Sequence, residues 1–288
     1  MNSIKKKFIL GTANFGLSYG IAKKVVNQNE IKTISSFVKK KIKILDTALK
    51  YKIPAKKINL INDFKIITKL SYVKEKNIEN AVYKKILKSL KEYKIKSFEA
   101  ILLHDSRILE NKDGARYVSI LKELKKKKLC KSIGVSIYEP NEIKLVLKYF
   151  KPDLIQAPLN LFDQRLVKSK WYKYLLKNKI KVHVRSVFLK KVLLLDNSEI
   201  PKYFKRWRKY FTKYHELCRS SKITKIQACL NYVFQFKDIQ GIVLGVDNIF
   251  QLNEIMRTKI IKNRLLVSKI SSLGIRKKEI IDPRSWKL

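Results

Sequence analysis

Eight short apolar runs punctuate the chain, separated by amphipathic segments rich in lysine. The runs are FILGTA at 8–13, IKILDTA at 42–48, FKIITKL at 64–70, FEAILLH at 98–104, SIGVSI at 132–137, LIQAPLN at 154–160, VHVRSV at 182–187 and GIVLGV at 241–246. Most are near-continuously apolar and rich in β-branched residues, the pattern of parallel strands covered on both faces. The segments between them have helical period: in 77–93, Ile78, Val82, Ile86 and Leu90 share one stripe and lysines stand opposite. Residues 118–129 and 140–150 behave alike, and 188–238 has room for a loop and more than one helix before the last strand. Strand-helix alternation repeated eight times predicts a (β/α)8 TIM barrel, with a doubly wound open sheet as the alternative. No polar linker divides the chain, so one domain over residues 1–288 is expected.

A barrel of this kind gathers its chemistry where the strands end. Polar residues stand out at the C-terminal ends of the runs: Asp46, Lys69, His104, Ser136, Gln156 and Ser186. Asp46, Lys69 and His104 close three consecutive strands, and Tyr51 lies on the loop after the first of them. A buried ammonium needs a partner, which Asp46 supplies. Lys69 in turn stabilises a Tyr51 phenolate, and His104 orients a carbonyl or the phenol. The four together make a general-acid system that protonates an oxygen as negative charge develops on it.

These motifs, in this order, resemble the aldo-keto reductase family. LGTANFG is similar to its first strand, DTALKY to its Asp and Tyr motif, ITKL to its Lys strand and LLHDS to its His strand. SIGVS, LIQAPLN and VLGVDNIFQLNE resemble the later strands and the nucleotide-gripping segment. The resemblance implies a catalytic tetrad of Asp46, Tyr51, Lys69 and His104, with Tyr51 as proton donor. It also implies reduction of an aldehyde or ketone, or oxidation of the alcohol, by hydride transfer with NADP(H) or NAD(H) held without a Rossmann fold. Gly11, Thr12 and Asp46 would then border the cofactor, Ser136 and Gln156 would bond the carboxamide, and Arg185 would stack under the nicotinamide. Ser186 and Gly245 would approach the pyrophosphate, while Asp247 and Gln251 would lie toward the adenosine.

Three departures from the family pattern stand out. The tyrosine is followed by Lys52-Ile53-Pro54-Ala55 instead of Gly-x-Ser-Glu, Ile137 replaces an Asn beside Ser136, and Asp247 occupies a place where a basic residue commonly meets the 2′-phosphate of NADP. Lys190, Lys191 and Arg257 are candidates to offset that carboxylate. The opening LGTANFGLSYG and the segment VRSVFL resemble reductases of bacterial sugar or surface-polysaccharide synthesis.

Composition adds one tension. Lys plus Arg number 66 against 23 Asp plus Glu, a formal charge of +43. Such a field favours polyanions. The lysines are nevertheless dispersed, without the arginine-rich block or aromatic interleaving of a nucleic-acid module, so solvated faces and AT-rich codon usage are the simpler account. A weak polyanion association is the residual expectation, and a non-catalytic barrel with a basic exterior is the rival to a reductase. No apolar run is long enough for a membrane span, and Thr12 and Asn14 interrupt the N-terminal apolar segment, so a cytoplasmic protein is expected; the family resemblance implies a small-molecule carbonyl substrate. Cys130, Cys218 and Cys229 are odd in number and widely spaced, and His183 and His215 lack paired ligand spacing, so no disulfide or metal site is expected.

Overall fold

The strand residues alternate between two environments, and that alternation positions everything else. The computed structural model describes residues 3–17, 25–38, 41–51 and 64–287. Its strands are β1 (Phe8–Gly11), β2 (Ile44–Asp46), β3 (Lys65–Leu70), β4 (Phe98–Leu103), β5 (Cys130–Ser136), β6 (Leu154–Pro158), β7 (Lys181–Arg185) and β8 (Gly241–Gly245). Every neighbouring pair is parallel, and β1 pairs with both β2 and β8, so the sheet is a closed barrel. Closure rules out the doubly wound alternative.

Successive side chains of a strand point to opposite faces. Ile9, Ile67, Ala100, Leu102 and Leu154, with Ile44 and Val243 against them, form an apolar plug inside the barrel. Their sequence neighbours Leu10, Leu45, Ile66, Ile101, Ile155 and Ile242 belong to the larger core under the helices. Two residues beyond the plug on each strand, the same inward parity reaches the mouth: Gly11 after Ile9, Asp46 after Ile44, Lys69 after Ile67, Gln156 after Leu154 and Gly245 after Val243. Low in the barrel His183 also faces inward, and Gly241 makes room for it; a Cβ at Gly241 would lie 2.5 Å from the imidazole Cδ2.

The helices are α1 (Ala13–Gly16), α2 (Gln28–Val38), α3 (Ile78–Tyr93), α4 (Gly114–Lys126), α5 (Glu142–Tyr149), α6 (Arg165–Lys168), α7 (Lys170–Lys177), α8 (Arg208–Ser220), α9 (Lys225–Phe234), α10 (Ile249–Arg257), α11 (Arg264–Ser271) and α12 (Lys278–Ile281). The stripe foreseen on α3 is its buried face, with Ile78, Val82, Ile86 and Leu90 all covered. Between β7 and β8 lie two 3-10 segments, Leu189–Leu194 and Lys202–Trp207, followed by α8 and α9. Helix α9 opens on a capping box in which Thr224 and Gln227 satisfy each other's backbone amides. Among the described residues, no helix is long and apolar enough to cross a membrane.

Candidate active site

At the barrel mouth the Asp46 carboxylate is held from both sides. One oxygen accepts from the Lys69 ammonium and the other from Gln156 Nε2 at 2.7 Å. Lys69 also donates to the Thr47 carbonyl at 3.1 Å, and the backbone oxygen of Asp46 receives both the amide and the hydroxyl of Thr12 at 3.0 Å. Lys69 is 2% exposed, so the pair lies out of bulk water and each charge depends on the other. Burial lowers the Lys69 pKa below 10.5, Asp46 opposes that shift, and the positive charges of Arg185 and Lys50 add to it.

Tyr51 ends a single 3-10 turn, Leu49–Tyr51, immediately after β2, so the chain reverses within a few residues and returns the phenol to the rim. Its ring centroid lies 5.9 Å from Lys69 Nζ and 5.8 Å from the His104 ring, which it meets edge-on at 76°. His104 stands one residue past β4, its amide bonded to the Leu70 carbonyl at 2.7 Å and its Nδ1 3.5 Å from Ser71 Oγ. Burial first, then the charge of Lys69, pushes its pKa down to about 3. At neutral pH it is an uncharged imidazole, able to donate or accept but carrying no cation. The loop following Tyr51, where the sequence departs from the family pattern, lies outside the described residues.

A cavity of about 400 Å³ opens over these groups. Of the expected site residues, Gly11, Thr12, Asp46, Tyr51, Lys69, His104, Ser136, Gln156, Arg185, Ser186 and Gly245 line it. Asp247 and Gln251 do not. Asp247 is bonded to Lys191 and, at 2.9 Å, to Asn14 Nδ2, both of which line the cavity, and its amide donates to Gln251 Oε1 at 2.9 Å. Lys191 therefore supplies the compensating charge that the sequence distributed over three basic residues. Gln251 lines a second, larger cleft of about 1070 Å³ bounded by α8, α9, α10 and the residues around Asp196.

Two features of the mouth have no local signature in the sequence. The guanidinium carbons of Arg185 and Arg284 lie 4.4 and 3.9 Å from the centroid of the Tyr138 ring, bringing β7, the loop after β5 and the C-terminal segment together. Arg185 spends hydrogen bonds on the Ile137 carbonyl at 2.9 Å and Ser186 Oγ at 3.3 Å. The loop after β7 is strained: Ser186, Leu189, Lys190 and Lys191 have φ of 60, 45, 48 and 75°. Left-handed conformations cost a non-glycine residue roughly 1–2 kcal/mol, and such strain concentrates at functional sites. Asn160 Nδ2 steadies the turn from below, donating to the Ser186 carbonyl at 3.0 Å.

Burial pushes the thiols of Cys130 and Cys229 up to about 12 and that of Cys218 to about 11, so none offers a thiolate near neutral pH. His183 is held neutral inside the barrel, its pKa lowered by burial to about 4.

A sequence model described as the aldo/keto reductase family matches residues 7–263. No curated protein matches the chain. Among solved structures, it is similar to the holo form of an aldo-keto reductase from Bacillus halodurans, with TM-score 0.74 and 17% identity over 97% of this chain and 95% of that one. It is also similar to a glycerol dehydrogenase from Gluconobacter oxydans, with TM-score 0.66 and 15% identity over 96% and 92% of the two chains. An aldo/keto reductase from Brucella melitensis gives TM-score 0.65 and 16% identity, with 93% of each chain covered. At such identities the structural likenesses speak for the barrel alone, but the sequence model spans most of the chain: it belongs to the aldo/keto reductase family of oxidoreductases.

Proposed function

We propose that this chain, acting as one domain over residues 1–288, reduces an aldehyde or ketone, or oxidises the corresponding alcohol, with NADP(H) or NAD(H) as hydride partner. The observation that carries the reading is the buried Lys69–Asp46 pair at the mouth, with the Tyr51 and His104 rings beside it. A bound nicotinamide nucleotide supplies or accepts the hydride. Tyr51 gives its phenolic proton to the carbonyl oxygen as charge develops there. Lys69 lies near the ring and favours the phenolate left behind, while Asp46 holds that ammonium in place. His104, neutral at working pH, directs a hydrogen bond at the same oxygen without competing as a cation.

Two observations support a fit between these residues and the nucleotide. Gln156 gives its amide nitrogen to Asp46, which leaves Oε1 buried without a partner and suited to accept from a carboxamide N–H. A Cβ at Gly245 would meet nothing within 4 Å, so the backbone there is open to a close-lying group. Gly11, Thr12, Ser136, Gln156, Arg185, Ser186 and Gly245 would hold the nicotinamide and pyrophosphate. Asp247, compensated by Lys191, and Gln251 would stand toward the adenosine.

Tyr51→Phe keeps the ring and removes the transferable proton. We expect it to leave nucleotide affinity within about twofold and to lower turnover of a reducible aldehyde by about 10²-fold or more. Full turnover in this variant would contradict the assigned acid.

A further inference from the structure

We propose that the carbonyl substrate of this site carries an anionic group, a phosphate or a carboxylate, that docks against Lys50 and Arg185 at the barrel mouth. The inference rests on the reductase reading and names the substrate class. Six cationic side chains line the cavity (Lys50, Lys69, Arg185, Lys190, Lys191 and Arg284) against a single carboxylate, Asp46. Asp46 is spent on Lys69, Asp247 on Lys191, and Asp282 on Arg284 through paired contacts of 3.0 and 2.6 Å. Lys190 lies over the Trp286 ring at 5.9 Å, on the side of the loop after β7, which leaves Lys50 and Arg185 to consider. Among the described residues neither has a carboxylate within ion-pair distance, and the hydrogen bonds of Arg185 to the Ile137 carbonyl and the Ser186 hydroxyl leave its charge uncancelled. A guanidinium and an ammonium left uncompensated in a concave site form a receptor for a small anion.

The phosphates of the nucleotide do not account for Lys50, and stacking under the nicotinamide would leave the charge of Arg185 in place. In the proposed arrangement the phosphates lie by Ser186, Gly245 and the lysines after β7, whereas Lys50 belongs to the turn after β2, directly before Tyr51. Both Lys50 and Arg185 also act electrostatically on Lys69 and His104, so their fields reach the corner where the carbonyl would react. The same fields favour the developing oxyanion, so a substrate anion docked here is tied to the reacting end by geometry and charge together.

The test compares kcat/KM for matched aldehydes with and without the anion: glyceraldehyde 3-phosphate against glyceraldehyde, and succinic semialdehyde against butanal. It uses the full-length protein and its Lys50→Gln and Lys50→Glu variants. Lys50 is exposed, so these substitutions do not threaten folding. We expect at least one anionic member to be preferred by about tenfold or more, with the ratio falling stepwise from Lys to Gln to Glu. The preferred pair then identifies phosphate or carboxylate as the group recognised. Reduction of the neutral aldehydes with ratios near one, or ratios that both variants leave unchanged, would overturn the anionic substrate while leaving the reductase reading in place. If no aldehyde is reduced, the reductase reading fails instead, and calorimetric titration with glycerol 3-phosphate against glycerol decides the anion site. Binding of the phosphate ester that weakens in Lys50→Glu supports the site; equal or absent binding overturns it.

Discussion

His104 and His183 both face the barrel interior, and their burial gives the fold an acid limit. Their pKa values fall from an ordinary 6.5 to about 3 and about 4, chiefly through desolvation. In the unfolded chain both imidazoles take protons near 6.5, whereas the folded chain keeps them neutral until far lower pH. Their contribution is therefore complete above pH 6.5 and is lost progressively as pH falls toward 4 and then 3. Most of that window lies above ordinary carboxylate titration, so urea midpoints measured from pH 7 to about 4.5 should decline, and His104→Gln should flatten part of the slope. A profile level down to about pH 4.5 would contradict the burial of both rings. At this scale Asp46 and Lys69 were legible because strand parity is local: each follows an inward isoleucine by two positions. The stacking of Arg185 and Arg284 on Tyr138 was not, because it joins three distant segments through a contact that no spacing encodes.

The strands and helices were legible to within a few residues, and the mismatches have a common cause. Several apolar runs continue past the last ladder pair, as at Ala48, Leu159, Val187 and Val246, all buried beyond the strand ends. Apolarity reports burial, and loops that cover the barrel rim are buried without being paired. Turn chemistry was harder to read, because this chain uses lysine where glycine is usual. Lys94, Lys128, Lys179 and Lys222 follow α3, α4, α7 and α8 with φ of 50, 56, 57 and 52°. A left-handed residue at a helix C-terminus favours glycine, which has no Cβ to strain. Replacing each of these lysines by Gly should stabilise the fold by up to about 1 kcal/mol, because the relieved strain exceeds the added chain entropy. The single variants and their combination can be read by urea unfolding, and lowered midpoints throughout would show that the lysines gain more from local contacts than they lose to strain.

At the scale of the whole molecule, a formal charge of +43 must be carried on the surface of one barrel. Like charges in such excess repel within the compact state, and salt screens that repulsion over about 10 Å at 0.1 M. Added salt should therefore raise the melting temperature, and retention on heparin should weaken steadily as salt increases. Retention insensitive to salt, or none at low salt, would leave the charge without a role in association. The same field would help to draw an anionic nucleotide or substrate to the mouth.

Titration of the purified protein with NADPH and NADH tests most directly whether the barrel mouth holds a nicotinamide nucleotide. Trp286 is a natural reporter: it packs edge-on against Phe204 at 5.0 Å and lies 5.9 Å from the ammonium of Lys190, a cavity-lining residue. We expect saturable quenching of tryptophan fluorescence by at least one of the two reduced nucleotides, confirmed by calorimetry, with the Lys191→Ala variant losing more affinity for NADPH than for NADH because Asp247 is then uncompensated. Failure of both nucleotides to bind at millimolar concentration would contradict the reductase reading.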